Sequence, residues 1–554
     1  MSDKLCPMTQ RSATSPTTAP PSLDPAEVDA FQFAGQDVFW LLEHWAAHVG
    51  DRTFFVWEPR DGADRRWTYA EFVADANKVA AALAAKGVVA GDKVLIHADN
   101  CPEAVLAWYG CARLGAVAVT TNTRSVAAEV EYFATHTDCV GAITQPGLAK
   151  VVTEAVPDIG WLVVTEDDSG VAATAPSPER DHEPFSVLLD HDLPTPERTV
   201  FGPLHPAGIV FTSGTTSKPK AVVHTHGNAL WAARSGPTNI DMVEGDTYLI
   251  YLPFFHVNAQ SWSIWTTLGV GGTVVMQPKF SASRFWEVIA KHEVTHISLI
   301  PFVFKAIAPQ PIPERHTVKV GVFGLIMPEL DAWLGMRVVA AYGMTETVIH
   351  AIHSDAFERF PRMAMGRVTP GYELAVVSPE TGRIVAEGEI GEIWLRGTRG
   401  IQLFLEYLGN DEANAKAFTH DGWLRTGDLV IRTADGNLEY RDRDKDALKI
   451  GGENVSAREV EDVIRTTPGI DDVAVVGKSH EMLDQVAVAF VVKGFGAPED
   501  EAEHERQIIE ACAAVLSDFK VPRAVYFVEE FPKATLDKVA KNELRAMADE
   551  RPAV

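Results

Sequence analysis

Helix-like and strand-like stretches alternate along the chain from about Asp37 onward. Residues 69–86 carry apolar side chains at helical spacing, and residues 93–97 form a short apolar run that is typical of a buried strand. The same order recurs in residues 102–114, which predict a helix, and residues 116–120, which predict another strand. This alternation favours an α/β fold with largely parallel sheets.

The pattern changes twice further along the chain. Residues 167–206 are polar and rich in proline, which is typical of a loop-rich connection between sub-domains. A dense run of charges, residues 441–446, then precedes two apolar stretches, residues 473–476 and 486–492. These stretches predict two strands of a small α+β unit. A charge run is often only a solvated face, but here it separates two different patterns.

We therefore predict a domain boundary at residues 443–445. Residues 30–442 would form a large N-terminal domain of α/β sub-domains, and residues 443–554 a small, mobile C-terminal α+β lid domain. Residues 1–29 precede both domains, and their Ser-, Thr- and Pro-rich composition lacks an apolar run. We expect this segment to be disordered and not to be a signal peptide.

Charge and cysteine content narrow the classes of function. The 554 residues carry a formal charge of −27, which argues against a protein that binds nucleic acids or anionic membranes, since both need basic surface. The five cysteines are scattered and contain no CxxC pair, which fits a reducing compartment. No apolar stretch is long enough for a transmembrane segment. We therefore expect a cytoplasmic protein of at least two domains that binds no nucleic acid.

The strongest chemical signal is a loop of small residues between two apolar strands. Its sequence is Ile209-Val-Phe-Thr-Ser-Gly-Thr-Thr-Ser-Lys-Pro-Lys-Ala-Val-Val-His224. Amides and hydroxyls in such a loop can surround phosphate oxygens while lysine supplies positive charge. The loop is not a Walker A motif, because the GxxxxGK[ST] spacing and the following helix are missing. A mobile surface turn is the alternative, but the apolar flanks and paired lysines favour phosphate binding.

Together with four further segments in order, this loop resembles the adenylate-forming superfamily of acyl-CoA synthetases, peptide-synthetase adenylation domains and luciferases. The segments are Ala341-Tyr-Gly-Met-Thr-Glu-Thr347, Trp423-Leu-Arg-Thr-Gly-Asp428, Asp442-Arg-Asp-Lys-Asp446 with Lys449-Ile-Gly-Gly-Glu-Asn-Val455, and Phe531-Pro-Lys-Ala-Thr-Leu-Asp-Lys538. The resemblance covers residues 40–545. It is nearest to crotonobetaine/carnitine-CoA ligases and related acyl-CoA synthetases, as seen in Asp99-Asn-Cys-Pro102, Ser217 and Gly451-Gly-Glu-Asn-Val-Ser456.

The resemblance implies that the protein activates a carboxylic acid with ATP and Mg²⁺ through an acyl-adenylate. Two anions meet in that reaction, so the site must neutralise charge and align the reactants. Thr345 is implied to reach the α-phosphate, and Glu346 and Thr216 to be ligands of Mg²⁺. The other implied nucleotide contacts are Thr212, Ser213, Gly214, Thr215, Thr216 and Lys220 at the β- and γ-phosphates, Tyr342 and Gly343 at adenine, Asp428 at the ribose, and Arg443 near the nucleotide.

The C-terminal domain is implied to serve two half-reactions in turn. Lys538 would bridge the carboxylate and the α-phosphate while the adenylate forms. In this superfamily the lid then rotates about a hinge, here at Lys445, and presents a second loop to the site. That loop carries Gly451 and Gly452, which would let the pantetheine arm of coenzyme A approach the backbone closely.

Several positions depart from the usual pattern of the superfamily. Asp537 stands where glycine usually precedes the catalytic lysine, and Ser217 and Ala221 stand where glycine is commoner in the phosphate loop. The usual Gly-Gly-Ala-Pro adenine loop is missing. We assign its place to residues 320–325, with Phe323 and Gly324 as the residues at adenine, and expect the following helix to be short.

His256 is the remaining catalytic candidate. It follows a strand in Tyr251-Leu-Pro-Phe-Phe-His-Val-Asn258 and resembles the aromatic or histidine gate beside the acyl pocket. The alternative is a hydrogen-bonded core histidine. The acyl-pocket candidates, by position, are Val257, Gln260, Ser261, Trp262 and Phe302. None is an Arg or Lys that could pair with a second charge, so we expect an uncharged acid of medium size.

Two further motifs do not indicate the function that each usually marks. His292-Glu-Val-Thr-His296 fits the HExxH signature of zinc proteases, which needs both histidines on one helix face. Residues 285–291 predict a helix and residues 294–300 a strand, so the two histidines would straddle an element boundary. The glycosylation sequon at Asn454 lies in the predicted hinge region of a chain without a secretory signal.

The sequence therefore predicts an AMP-forming acyl-CoA ligase that uses a small carboxylic acid, ATP, Mg²⁺ and coenzyme A, as a monomer or homodimer. An amide synthetase with an amine as acceptor and a luciferase that uses oxygen share the first half-reaction and remain alternatives. A non-catalytic nucleotide-binding regulator is the alternative of another class. The presence of Lys538, Glu346 and Asp428 together argues against such a regulator.

Overall fold

A computed structural model describes residues 25–175, 178, 180–212, 218–443, 447–532 and 539–552. The strands, in chain order, are β1 Thr53–Trp57, β2 Arg65–Thr68, β3 Lys93–His97, β4 Val117–Thr120, β5 Cys139–Thr144, β6 Leu162–Val164, β7 Glu183–Pro184, β8 Pro206–Thr212, β9 Lys220–Thr225, β10 Thr247–Ile250, β11 Thr273–Met276, β12 His296–Ser298, β13 Val320–Phe323, β14 Arg337–Tyr342, β15 Ile352–His353, β16 Ala364–Val368, β17 Glu373–Val377, β18 Ile390–Arg396, β19 Glu406–Tyr407, β20 Trp423–Arg432, β21 Leu438–Arg443, β22 Ala447–Ile450, β23 Glu453–Ser456, β24 Ile470–His480, β25 Asp484–Lys493 and β26 Val525–Val528.

The helices are α1 Pro25–Asp29, α2 Val38–Val49, α3 Tyr69–Ala85, α4 Pro102–Leu114, α5 Ala127–His136, α6 Pro146–Ala155, α7 His226–Asn239, α8 Thr266–Leu268, α9 Phe285–Lys291, α10 Pro301–Ile307, α11 Pro328–Leu334, α12 Asp411–Ala417, α13 Ala457–Ile464, α14 Glu501–Val515 and α15 Lys541–Asp549. Shorter turns of 3-10 helix occur at Phe185–Leu188, Ala282–Arg284 and Thr345–Thr347, and a π-helix at Asn258–Trp265. No helix in the described ranges combines the length and apolarity needed to cross a membrane.

The elements predicted between residues 69 and 120 are confirmed as α3, β3, α4 and β4. A capping box of Thr68 and Glu71 begins α3. Pro102 begins α4, where a missing N–H costs nothing, and Gly115 ends it with a left-handed φ of 72°. The local sequence thus sets both the spacing and the ends of these elements.

Two large mixed sheets form the N-terminal domain. One has the order β19-β9-β8-β4-β3-β5-β6-β7, in which the strands from β8 to β7 run parallel. The other has the order β17-β18-β20-β21-β16-β15-β14-β13-β12-β10-β11-β1-β2, in which the strands from β14 to β1 run parallel. The predicted α/β class is therefore confirmed. The predicted connection at 167–206 contains, in its described part, only β7, one 3-10 turn and the start of β8.

The C-terminal domain has its own sheet, in the order β23-β22-β25-β24 with β26 beside β25. Its apolar residues form two clusters, one with α13 and α14 and one with α15. The two strands predicted in this part of the chain are confirmed as β24 and β25. The large sheet ends at Arg443 and the small sheet begins at Ala447, and the exact boundary at residues 443–445 stays a prediction. Lys445 lies outside the described residues, and its role as the hinge stays a prediction.

Candidate active site

A cavity of about 1970 Å³ lies between the two domains. The large domain lines it with the segments that follow the carboxyl ends of β10, β12, β13 and β14, which is where open α/β sheets commonly bind ligands. The small domain contributes Gly451, Gly452, Glu453, Ser456 and Lys520 to the opposite wall.

The structure brings most of the described site candidates together in this cavity. Its lining includes Thr212, Lys220, His256, Phe323, Gly324, Tyr342, Gly343, Thr345, Glu346, Asp428, Gly451 and Gly452. The backbone of Arg443 lies opposite Asp428 in the register of β20 and β21. Ser213, Gly214, Thr215, Thr216, Lys445 and Lys538 lie outside the described residues, so their placement stays a prediction.

The backbone next to the turn that carries Thr345 and Glu346 has an unusual conformation. Directly after it, Val348 has a φ of 65°, and the N–H of Ile349 donates to the carbonyl of Thr347 at 2.6 Å. This is a γ-turn at a β-branched residue, a strained conformation of the kind that clusters at functional sites. On the other side, a Cβ at Gly343 would lie 2.8 Å from the carbonyl oxygen of Ile349. Only glycine fits there.

His224 ties this turn to the strand after the phosphate loop. Its Nε2–H donates to the carbonyl of Thr345 at 2.7 Å. Burial lowers the pKa of His224 to about 4, so the ring is neutral at physiological pH. In the sequence, His224 is only the last residue of the apolar flank, and no residue pattern indicated its contact with the turn.

The carboxylate of Glu346 is buried and suits a magnesium ligand. Its Oε1 accepts a hydrogen bond from the hydroxyl of Tyr407 at 2.7 Å. The ammonium of Lys220 lies 4.3 Å from the centre of the Tyr407 ring. Tyr407 therefore contacts both Glu346 and the lysine that ends the phosphate loop. The described residues contain no cluster of three metal-ligating side chains. A single carboxylate completed by phosphate oxygens and water is the arrangement that Mg²⁺ prefers.

Asp428 lies at a bulge in β20 that Glu392 fixes. The register between β18 and β20 shifts beside Gly427, whose φ is 76°. The N–H of Gly427 donates to Oε1 of Glu392 at 2.8 Å. Asp428 in turn accepts a hydrogen bond from the hydroxyl of Tyr342 at 2.6 Å. The residues predicted for ribose and adenine therefore contact each other, and Glu392 supports them although no sequence motif indicated it.

Three of the five residues predicted for the acyl pocket line the cavity, and two do not. Val257, Trp262 and Phe302 line the cavity. Gln260 and Ser261 do not, so their prediction as pocket residues is wrong. Both are buried, and the Gln260 amide donates to the Thr120 hydroxyl and the Phe254 carbonyl, at 2.9 and 2.8 Å.

His256 has a partner in the other domain. Its Nε2 lies 3.0 Å from Oε2 of Glu453, which follows Gly452. Burial works to lower the pKa of His256, but the charge of Glu453 and the hydrogen bond outweigh it and raise the pKa above the ordinary value. The predicted gate residue is thus also an interdomain contact.

The two histidines of the HExxH motif lie on different elements, as predicted. His292 follows the end of α9, and His296 begins β12. Nε2 of His292 lies 2.8 Å from Glu58, and Nε2 of His296 donates to the carbonyl of Ile240 at 3.1 Å. Both rings therefore have structural partners of their own.

The comparisons with known proteins agree with this geometry. A sequence profile of AMP-binding enzymes matches residues 42–408, and the profile of their C-terminal domain matches residues 459–538. The chain is 31% identical over 525 residues to the crotonobetaine/carnitine–CoA ligase of Citrobacter koseri. The aligned region covers 92% of this chain and 99% of that protein.

Solved structures of one enzyme, the o-succinylbenzoate-CoA synthetase of Bacillus subtilis, resemble the chain to different degrees. A double mutant of that enzyme with a product analogue is 26% identical and matches with a TM-score of 0.77, over 91% of this chain and 98% of that one. The enzyme with its acyl-adenylate intermediate, also 26% identical, matches with a TM-score of 0.64, over 93% and 99%. By sequence and by structure, the chain belongs to the family of AMP-binding enzymes.

Proposed function

We propose that this enzyme, an AMP-forming acyl-CoA ligase, activates an uncharged carboxylic acid of medium size with ATP and Mg²⁺ in the cytoplasm. The observation that carries the proposal is one cavity with two kinds of lining. Tyr342, Thr345, Glu346 and Asp428 line one part, and a mostly apolar wall from segments 251–262, 299–303 and 322–325 lines the other.

In the first half-reaction, a carboxylate oxygen of the acid attacks the α-phosphorus of ATP, and the bond to the leaving pyrophosphate breaks. Lys220, Thr345 and, in our proposal, Lys538 offset the negative charge of the reacting groups. Glu346 would hold Mg²⁺, which supplies charge neutralisation at the phosphate oxygens when bound. Asp428 would accept hydrogen bonds from the ribose hydroxyls in place of its present contact with Tyr342.

The acyl wall supports an uncharged acid. The residues of segments 251–262, 299–303 and 322–325 that line the cavity include no Lys, Arg, Asp or Glu. Tyr251, Phe280 and Phe302 form adjoining aromatic contacts there, with ring centres 5.2 and 5.7 Å apart for the two pairs that Phe280 makes. His256 in this wall is already paired with Glu453, so a second charge on the acid would be left without a partner there, which is costly.

In the second half-reaction, the sulfur of coenzyme A attacks the acyl carbon of the adenylate and AMP leaves. The turn of Gly451 and Gly452 lines the cavity, with φ values of 60° and 89°. No side chain narrows the cavity at these two residues, so the pantetheine arm can pass close to the backbone. We assign the present domain arrangement to this half-reaction, and the higher TM-score against the product-analogue complex, 0.77 compared with 0.64 for the acyl-adenylate complex, supports the assignment.

A panel of acids tests the proposal. Straight-chain acids from butyrate to decanoate, benzoate, phenylacetate, and the crotonobetaine and carnitine for which the relative is named are each offered with ATP, Mg²⁺ and CoA. We expect AMP, pyrophosphate and a CoA thioester from an uncharged acid, and no turnover after chelation of Mg²⁺. Formation of ADP and phosphate, or of an amide when amines replace CoA, would refute the proposed reaction. Preference for crotonobetaine or carnitine would refute the proposed acid.

A further inference from the structure

A buried ion-pair network joins the two domains outside the residues assigned to the chemistry. Oε1 of Glu129, on α5, accepts a hydrogen bond from the Lys520 ammonium at 2.5 Å, and Oε2 accepts one from the Ser517 hydroxyl at 2.5 Å. Lys520 also donates to Oε1 of Glu459, on α13, at 3.0 Å. The side chains of Glu129, Lys520 and Glu459 are each 7% exposed.

Burial makes this network sensitive to the loss of a partner. An exposed ion pair contributes little, but a buried pair attracts more strongly because water screens it less. Here one ammonium serves two carboxylates. Burial, with the added charge of Glu129, raises the pKa of Glu459 above its ordinary value despite the contact with Lys520.

Each domain keeps a partner for its own charge if the domains separate. Oε2 of Glu129 also accepts the N–H of Val126 at 3.1 Å, where it caps α5. Lys520 retains Glu459 within the C-terminal domain. The contacts from Glu129 to Lys520 and Ser517 can therefore break without leaving a charge wholly unpaired. This is what a reversible contact between moving domains requires.

The network also reaches the loop that faces the cavity. Glu459 lies in the first turn of α13, and its N–H donates to the hydroxyl of Ser456 at 3.3 Å. Ser456 ends β23, the strand that follows the turn of Gly451 and Gly452. Fixing Glu459 through Lys520 therefore fixes the base of that turn against the large domain.

We propose that Glu129 is a positioning residue for thioester formation. Through Lys520 and Ser517 it holds the C-terminal domain in the arrangement in which Gly451 and Gly452 face the cavity. The inference rests on the proposed function, because only an enzyme with two half-reactions needs two arrangements. In adenylate formation, when Lys538 faces the site, the contact with Glu129 is open.

The substitution Glu129→Gln tests the proposal. Glutamine keeps the size of the side chain and can still accept the N–H of Val126, but it carries no charge for Lys520. We expect thioester formation from a supplied acyl-adenylate, that of the panel acid with the highest turnover, to fall about 10²-fold. Pyrophosphate release without CoA should stay unchanged. Ser517→Ala removes one hydrogen bond and should cost thioester formation about tenfold.

Asp484→Asn is the matched control. Asp484 pairs with Lys305 across the same interface at 2.9 Å, but the two side chains are 29% and 38% exposed. Asparagine tolerates the φ of 64° at this position, so only the exposed ion pair is lost. Both half-reactions should keep the wild-type rate.

The outcomes separate the inference from the proposed function. Unchanged thioester formation in Glu129→Gln, or equal loss of both half-reactions with a wild-type circular dichroism spectrum, would overturn the role of Glu129. If Glu129→Gln does not fold, Glu129→Asp keeps the charge on a shorter arm and must show the same selective loss to a smaller degree. A wild-type enzyme that makes no thioester with any acid would refute the proposed function instead.

Discussion

Replacing Gly452 with leucine tests whether the turn between β22 and β23 lines the path of the acceptor. Gly452 has a φ of 89°, and a Cβ there would lie 3.4 Å from Cδ1 of Ile300 across the cavity. An L-residue with such a backbone costs on the order of 1–2 kcal/mol. The Cβ itself makes an ordinary contact, so the remaining carbons of leucine would have to occupy the cavity.

Gly496→Leu separates the obstruction from the backbone strain. Gly496 lies in the same domain with a φ of 83°, and nothing lies within 4 Å of the position of its Cβ. Both variants therefore bear a similar strain, but only the Gly452 variant narrows the cavity. We expect thioester formation to fall about 10²-fold or more in Gly452→Leu, the scale of a misplacement of about 1 Å between reactants. Gly496→Leu should keep nearly the wild-type rate.

Two assays report the half-reactions separately. Pyrophosphate release without CoA measures adenylate formation, and mass spectrometry of the CoA thioester from supplied acyl-adenylate measures transfer. Gly452→Leu should lose the second and keep the first. Equal losses in both glycine variants would mean that strain alone is responsible. Full thioester formation in Gly452→Leu would show that the acceptor takes another path.

Three further predictions concern single groups. Glu346→Gln should lower pyrophosphate release about 10²-fold, the usual loss for one electrostatic stabiliser. Tyr407→Phe removes only the hydrogen bond that Glu346 accepts and should lower pyrophosphate release about tenfold. Similar rates for wild type and Glu346→Gln would exclude Glu346 as the metal ligand. Lys538→Ala should abolish pyrophosphate release yet still convert supplied acyl-adenylate with CoA, and intact release would refute its role. The pKa of His256 is raised because Glu453 stabilises the charged ring. The charged pair therefore stabilises the present arrangement of the domains fully below the ordinary histidine pKa of about 6.5. That stabilisation is lost as the pH rises through the raised pKa. The rate of thioester formation should therefore decline on the alkaline side, and Glu453→Gln should move that decline to lower pH; superimposable pH–rate profiles would contradict the pairing.

Local sequence was enough to predict several of the elements and most of the described candidates for nucleotide and acceptor binding. Apolar spacing and end signals such as Pro102 and Gly115 act within one element, so they can be interpreted without the fold. Motif order then located Tyr342, Thr345 and Asp428, because each motif combines several residue types at fixed spacing. Their meeting in one cavity follows from where the strands end.

The supporting residues could not be predicted in this way. Tyr407 contacts Glu346 across 61 positions, and Glu453 contacts His256 across 197. Each is a single polar residue outside a recognisable spacing, and its partner is determined only by the fold. Glu392 and His224 are further examples, since both act on a backbone group of a distant segment.

The error at Gln260 and Ser261 has a local cause. Residues Asn258–Trp265 form a π-helix, in which the backbone bonds join residues five apart. In an ordinary helix the residues three and four after Val257 would share its face. In the wider π-helical turn, the residue five after Val257 shares its face instead. Val257 and Asn258 therefore line the cavity together with Trp262. No pattern of residues indicated this local change of period.

The chemistry of the domain interface bears on the predicted mobility of the lid. Each apolar cluster in the described ranges lies wholly within one domain, and none is shared between them. The contacts across the boundary include the ion pairs His256–Glu453, Lys305–Asp484 and Lys520–Glu129. An interface of this kind can open without exposing a common core to water, because ionic groups regain hydration when they separate. The pair Lys520–Glu129, which in our proposal fixes the thioester-forming arrangement, is therefore compatible with leaving it, as an enzyme with two half-reactions at one cavity requires.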